Sequence, residues 1–135
     1  MNIEFSFIVI DDSELDCFVT QKFLERSTKD LAIKTFQNAQ YALEIIRENT
    51  AGNSPVPTII LLDLQMPFMS GFDFVEEFEK FPAEVKKNYR IVILTVLTSA
   101  NNPADIHKIL AYQTVNSIIE KPLTKQKLLS LLIQV

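Results

Sequence analysis

Residues able to do chemistry stand at the ends of four apolar runs in this sequence. Asp11 and Asp12 follow FSFIVI, Asp63 closes TIILLD, Thr98 and Ser99 follow RIVILTVL, and Lys121 follows NSIIE. Taken alone, an aspartate at a strand end is a turn former or a cap. Three carboxylates converging in one crevice repel one another, so such a site needs a cation. All-oxygen ligation favours Mg²⁺, with Mn²⁺ as the alternative. Mg²⁺ keeps several waters and binds through a few carboxylates together with phosphate oxygens, which suits the site to a phosphoryl group. In that setting Asp63 is a candidate nucleophile toward phosphorus, because the metal screens the attacking carboxylate from the incoming phosphate. Lys121 and the Thr98 hydroxyl would bind the remaining phosphoryl oxygens. No triad competes: Cys17 is the sole cysteine, and His107, the sole histidine, falls inside a predicted helix as a solvent-facing residue.

The elements that must position these groups follow from period and punctuation. FSFIVI at 5–10 is a continuous apolar run of the kind a strand buried on both faces carries. Ser13 caps a helix to about Ser27, with Leu15, Phe18, Val19 and Phe23 expected on its inner face. A strand is expected near Ile33 to Phe36. Asn38 caps a second helix whose apolar stripe is Ala42, Leu43, Ile45 and Ile46. TAGNSPVP is a loop, TIILLD the clearest strand, and Phe72 to Phe81 a third helix, with Pro82 marking its end or the loop beyond. After RIVILTVL, Asn102 and Pro103 start a fourth helix to about Tyr112. NSIIE is the fifth strand, and Thr124 caps a fifth helix to Leu132. Alternating strands and helices imply an α/β fold, a five-stranded parallel sheet with helices on both faces, and ligands bind beyond the carboxyl ends of its strands.

The whole chain bounds the answer further. Its 135 residues suit one domain spanning 1–135, large enough for a core without disulfides or structural metals. No apolar run approaches the roughly 18 residues of a membrane span. The start, MNIEFSFIVIDD, carries no secretory pattern, so a cytoplasmic protein is expected. Cys17 reads as a small buried hydrophobe on a helix. The net charge of -4 disfavours generic affinity for nucleic acid, and Lys121, Lys125 and Lys127 read as a solvated helix face.

FIVIDDSEL, IILLDLQMPFMSGFDF, VLTSANNPADI and IIEKPLT together resemble the successive motifs of the receiver domain of two-component response regulators. The resemblance runs from about Phe5 to Leu132. It implies a doubly wound, flavodoxin-like sheet of strand order 2-1-3-4-5 and a stand-alone receiver, since the chain ends soon after the fifth helix. It implies Asp63 as phosphoacceptor, Asp12 as a direct Mg²⁺ ligand, Asp11 acting mainly through metal-bound water, and the main-chain carbonyl of Gln65 completing the protein's share of the metal shell. Thr98 would bind the phosphoryl oxygen, Lys121 would form the ion pair, and the Lys121-Pro122 peptide would be cis. The implied partners are a histidine kinase or histidine phosphotransfer protein, and a downstream protein met through the surface of the fourth helix, fifth strand and fifth helix. The chain would then catalyse only its own phosphorylation and dephosphorylation.

Two positions depart from or strain the pattern. Thr95 also lies on the fourth apolar run, and a strand ending there would make it the hydroxyl. Thr98 is preferred because small Ser99 and Ala100 follow it and leave room for phosphate. The switch region of Ser99, Ala100 and the fifth strand carries Ile118 three residues before the lysine, where the family usually has Tyr or Phe. A phosphorylation-independent interaction module of the same fold is the alternative reading. A phosphohydrolase reading is disfavoured: such enzymes place a second acid two positions after the nucleophile, where this chain has Gln65, and it has no cap insertion.

Overall fold

Five apolar runs form one sheet: β1 (Phe5–Ile10), β2 (Leu31–Phe36), β3 (Thr58–Asp63), β4 (Tyr89–Thr95) and β5 (Val115–Glu120). The computed structural model describes residues 5–27, 31–48, 57–64, 66, 68–95 and 103–134. Every pairing is parallel and the order is β2-β1-β3-β4-β5, as the resemblance implies. Interior strands are covered on both faces, which is why β3 and β4 read as unbroken apolar runs: Ile59 to Leu62 and Ile91 to Ile93 are fully buried. Edge strand β2 instead exposes Ala32, Lys34 and Thr35.

The helices are α1 (Glu14–Ser27), α2 (Ala39–Glu48), α3 (Gly71–Glu79), α4 (Ala83–Lys86), α5 (Pro103–Leu110) and α6 (Lys125–Gln134). The one-turn α4, begun at Pro82 with φ -58°, is additional to the five helices expected. The fourth and fifth predicted helices are therefore α5 and α6. On one face of the sheet, Ile8, Ile10, Ile60, Leu62, Ile91 and Ile93 meet α2, α3, Val85 of α4 and Ile109 of α5. On the other, Phe7, Val9, Ile59, Leu61, Val92 and Leu94 meet Cys17 and Leu24 of α1 and Leu128 and Leu131 of α6. Helices thus cover both faces, and the alternation of the two residue sets along each strand is the period of two.

The expected inner face of α1 needs correction. Leu15, Phe18 and Val19 are 68%, 57% and 55% exposed, whereas Phe23 packs, partly buried, against the same core that Cys17 and Leu24 enter. At about 100° per residue, the three exposed residues lie at least a quarter-turn round the helix from Cys17. The short Cys17 side chain lets α1 come close to β1, where its Sγ lies 3.2 Å from the Asp11 carbonyl.

Candidate functional site

Order 2-1-3-4-5 sends the chain from β1 outward to β2 and then back past β1 to β3, so the connections leaving β1 and β3 diverge. The crevice where they part is the binding position of open α/β sheets. Asp11 is the residue after β1, and Asp63 is the last residue of β3. The register Ile10↔Leu62 continues to set them side by side. Asp12 follows, and each of the three offers a carboxylate oxygen within 4.8 Å of the others. Their burial is graded: Asp11 is 5% exposed, Asp63 half-buried and Asp12 exposed. Clustered carboxylate oxygens open to solvent on one side could hold a metal ion.

Lys121, at the end of β5, reaches across this group. Its Nζ lies 3.4 Å from Asp63 Oδ1 and 3.6 Å from Asp11 Oδ2. Burial lowers the ammonium, but the carboxylates of Asp63 and Asp11 outweigh it and the net shift is upward. Burial raises the Asp11 carboxyl. The Ser13 N–H, which donates to Asp11 Oδ1 at 3.0 Å, opposes this, the charge of Asp63 adds to it, and the net is again upward. Burial also pushes the Cys17 thiol up to about 11, so that thiol is protonated and takes no part.

The segment after Asp63 is held from behind. Gly71 N–H donates to the Leu64 carbonyl at 2.8 Å. A Cβ at Gly71 would stand 2.9 Å from Leu64 Cα and 3.0 Å from the Asp63 carbonyl, so a glycine is required there. Ser70 caps α3 in a reciprocal box with Asp73, each bond 3.2 Å. Phe68 projects fully into solvent.

Of the sequence-predicted site residues, Asp11, Asp12, Asp63 and Lys121 come together. Gln65, Thr98, Ser99 and Ala100 lie outside the described residues. β4 runs to Thr95, which is 2% exposed. The Lys121-Pro122 peptide is cis. Ile118 pairs in register with Ile93 and packs, partly buried, against the larger core. Sequence reasoning missed Asp16, whose charge raises both Asp11 and Lys121. Asp16 shares with those two and Val19, Phe23 and Leu123 a cleft of about 380 Å³ beside the carboxylates. The signal available was the Ser13 cap, which puts Asp16 in the first turn of α1, its N–H on Ser13 Oγ.

The response regulator receiver domain family matches residues 7–133. A crystal structure of a response regulator receiver protein from Dyadobacter fermentans superposes with a TM-score of 0.80 at 32% identity, covering 95% of this chain and 94% of that one. Response regulator Rcp1 of Synechocystis is 28% identical over 73% of this chain and 65% of its own length. The peroxide stress-activated histidine kinase mak1 of Schizosaccharomyces pombe is 29% identical over 92% of this chain, which spans only 7% of that kinase.

Proposed function

The chain belongs to the response regulator receiver domain family, and from that premise we propose that it accepts a phosphoryl group on Asp63 and thereby switches a protein-interaction surface. The observation that carries this reading is Asp63 itself: a carboxylate at the switch point, inside a three-carboxylate cluster and 3.4 Å from a lysine ammonium.

The donor is a phosphohistidine on a histidine kinase or histidine phosphotransfer protein. An Asp63 oxygen forms a new bond to phosphorus as the bond to the donor's imidazole nitrogen breaks. The electron pair stays on that nitrogen, which ends protonated from solvent, and the product is an aspartyl phosphate. Asp11, Asp12 and Asp63, with the main-chain carbonyl of Gln65, would hold Mg²⁺ or Mn²⁺, whose charge lets an anionic carboxylate approach an anionic phosphoryl group. Lys121 pairs with the phosphoryl oxygens, turning an ion pair that already spans Asp11 and Asp63 toward the new anion. A hydroxyl from the segment after β4, Thr98, binds a further phosphoryl oxygen. Ser99, Ala100 and Ile118 make up the switch region, and the downstream target meets the α5–β5–α6 face. The chemistry needs no other catalytic group, so the chain acts on itself rather than turning over external substrates. Cytoplasmic work without nucleic acid or membrane is part of the same reading, and no helix among the described residues is long and apolar enough to cross a membrane.

Mass spectrometry after incubation with a small phosphodonor and Mg²⁺ tests it. The expected result is a gain of one phosphoryl group, lost in Asp63→Ala. No gain in the wild-type chain, or the same gain in both, overturns the proposal.

A further inference from the structure

The turn from β5 to α6 carries Lys121, and its main chain is tied at three points. The Lys121 N–H donates to the Thr95 carbonyl at 2.8 Å. The carbonyl before Lys121, that of Glu120, accepts from Lys127 Nζ at 2.8 Å. The carbonyl of Pro122, just after it, accepts from the same Nζ at 3.2 Å. One side chain on α6 therefore brackets Lys121 from both sides. Pro122 has no N–H, so it donates no bond to secure the turn.

The identity of residue 127 is informative. Thr124 caps α6 through its Oγ1, which accepts the Lys127 N–H at 3.2 Å. This makes Lys127 the third residue of the helix, the place where a Glu or Gln usually reaches back to the cap N–H. Lysine has three donors and no acceptor, so it cannot complete such a box. A cation in the first turn also faces the positive end of the helix dipole. Neither helix capping nor helix electrostatics accounts for a lysine here. The two carbonyls flanking Lys121 do, through charge-assisted bonds.

We infer that Lys127 is a positioning residue for the phosphoryl transfer, acting through Lys121 by fixing the main chain that presents its ammonium to Asp63. The inference rests on the proposed reading of the Asp63 site. Lys127 does not touch the carboxylates. It also lines the groove between β5 and α6 with Ser117, Ile118 and Leu131, so the lysine that sets Lys121 stands on the surface assigned to the downstream partner.

The test compares labelling of the full chain by a saturating small phosphodonor in wild type, Lys127→Met, Lys127→Gln and Lys127→Arg, alongside Mg²⁺ titrations and thermal melts. Methionine keeps the apolar stem and removes the donor. Arginine restores donors able to reach two carbonyls. The maximal labelling rate should fall about three- to tenfold in the Met and Gln variants, less than the roughly hundredfold that a 1 Å displacement of a reacting group costs. Mg²⁺ affinity should not weaken, and Lys127→Arg should recover most of the rate. Wild-type rates in both Met and Gln overturn the inference. So does a joint fall of rate, Mg²⁺ affinity and melting temperature without rescue by arginine, which marks a merely structural role. Failure of the wild-type chain to label, or equal labelling of Asp63→Ala, instead removes the underlying reading and the inference with it.

Discussion

The Lys121 N–H donates to the Thr95 carbonyl at 2.8 Å, which joins the carboxyl ends of β4 and β5 one residue beyond Leu94, the register partner of Asp63. Thr95 is thereby committed through its main chain, and at 2% exposure it has little access to an incoming group. The two candidate hydroxyls can be separated by experiment. Thr98→Ala should weaken binding of a phosphoryl mimic about ten- to a hundred-and-fiftyfold, the span of a hydrogen bond to a charged group, with the melting temperature held. Thr95→Ala should lower stability by about 1–2 kcal/mol and leave mimic affinity nearly unchanged. The opposite pattern would transfer the role to Thr95, the residue to which β4 runs.

Asp12→Ala separates metal binding from nucleophilicity. Asp12 is exposed and supports no core, so its loss leaves the fold intact while removing one carboxylate from the cluster. Mg²⁺ affinity by calorimetric titration should drop about tenfold or more, and labelling at limiting Mg²⁺ should slow with it. Equal affinity in wild type and variant would remove Asp12 from the ligand set.

Asp11 connects the site to stability. Its carboxyl is raised by burial, then by Asp63, so the folded chain holds that proton more tightly than the unfolded chain, whose reference is 3.8. The folding cost of ionising it therefore grows as the pH rises through 3.8, is complete above the folded value, and vanishes well below 3.8. Without metal at neutral pH, Asp11→Asn should therefore be more stable than wild type by about 0.5–2 kcal/mol, the amide oxygen keeping the Ser13 N–H bond. The advantage should shrink as pH falls toward that reference. Mg²⁺ should stabilise the wild type by mass action and the variant, which keeps the Asp12 and Asp63 carboxylates, by less. Thermal melts with and without chelator would decide. A variant less stable than wild type at neutral pH would contradict the account.

Gly71 couples the Asp63–Leu64 segment to α3. A Cβ there meets Leu64 Cα, the Asp63 carbonyl and Leu64 Cδ1, at 2.9, 3.0 and 3.2 Å, and the first two are backbone that cannot swing away. Gly71→Ala should destabilise the chain by about 1–3 kcal/mol as an overpacked contact. It should also slow labelling of the folded fraction, because the backbone forced to shift is that of Asp63, the proposed acceptor. Urea unfolding together with labelling kinetics checks both. A stable variant that labels slowly would show positional strain alone, and no change in either would refute the contact.

Much of this was legible in the sequence because the strands are short apolar runs bounded by polar ends. IVI into Asp11-Asp12 and IILL into Asp63 state both the strand and what it delivers to the crevice. The caps Ser13, Asn38 and Thr124 were readable for the same reason: a side-chain oxygen just before an apolar period has one economical use, and all three make it. The inner face of α1 was not legible. Leu15, Phe18 and Val19 outscore Cys17 in hydrophobicity, but which stripe faces the sheet was decided by how closely the helix could approach Asp11, a tertiary matter. The contacts of Lys127 were hidden likewise, since a carbonyl five or seven residues away carries no sequence signature.

Ile118 tests how the switch is transmitted. In the usual family member an aromatic side chain three residues before the lysine fills the space left when the hydroxyl moves to the phosphoryl group. Here the side chain is an isoleucine, paired in register with Ile93 and packed against the core that includes Ile91, Ile93 and Ile109. A β-branched side chain is restricted at χ1, and leaving that cluster would uncover apolar surface. Ile118 should therefore keep its rotamer when a phosphoryl mimic binds. The largest amide shifts should fall at residues 99–102 and at the start of α5. Because a ligand moves an equilibrium only by its differential affinity for the two states, the response should be a modest population change. Ile118→Tyr should enlarge it by supplying a side chain that can fill the vacated space. Methyl and amide NMR with and without the mimic is the measurement. A rotamer reversal at Ile118 with residues 99–102 unshifted, or a tyrosine variant that responds no more than wild type, would overturn this account of the switch.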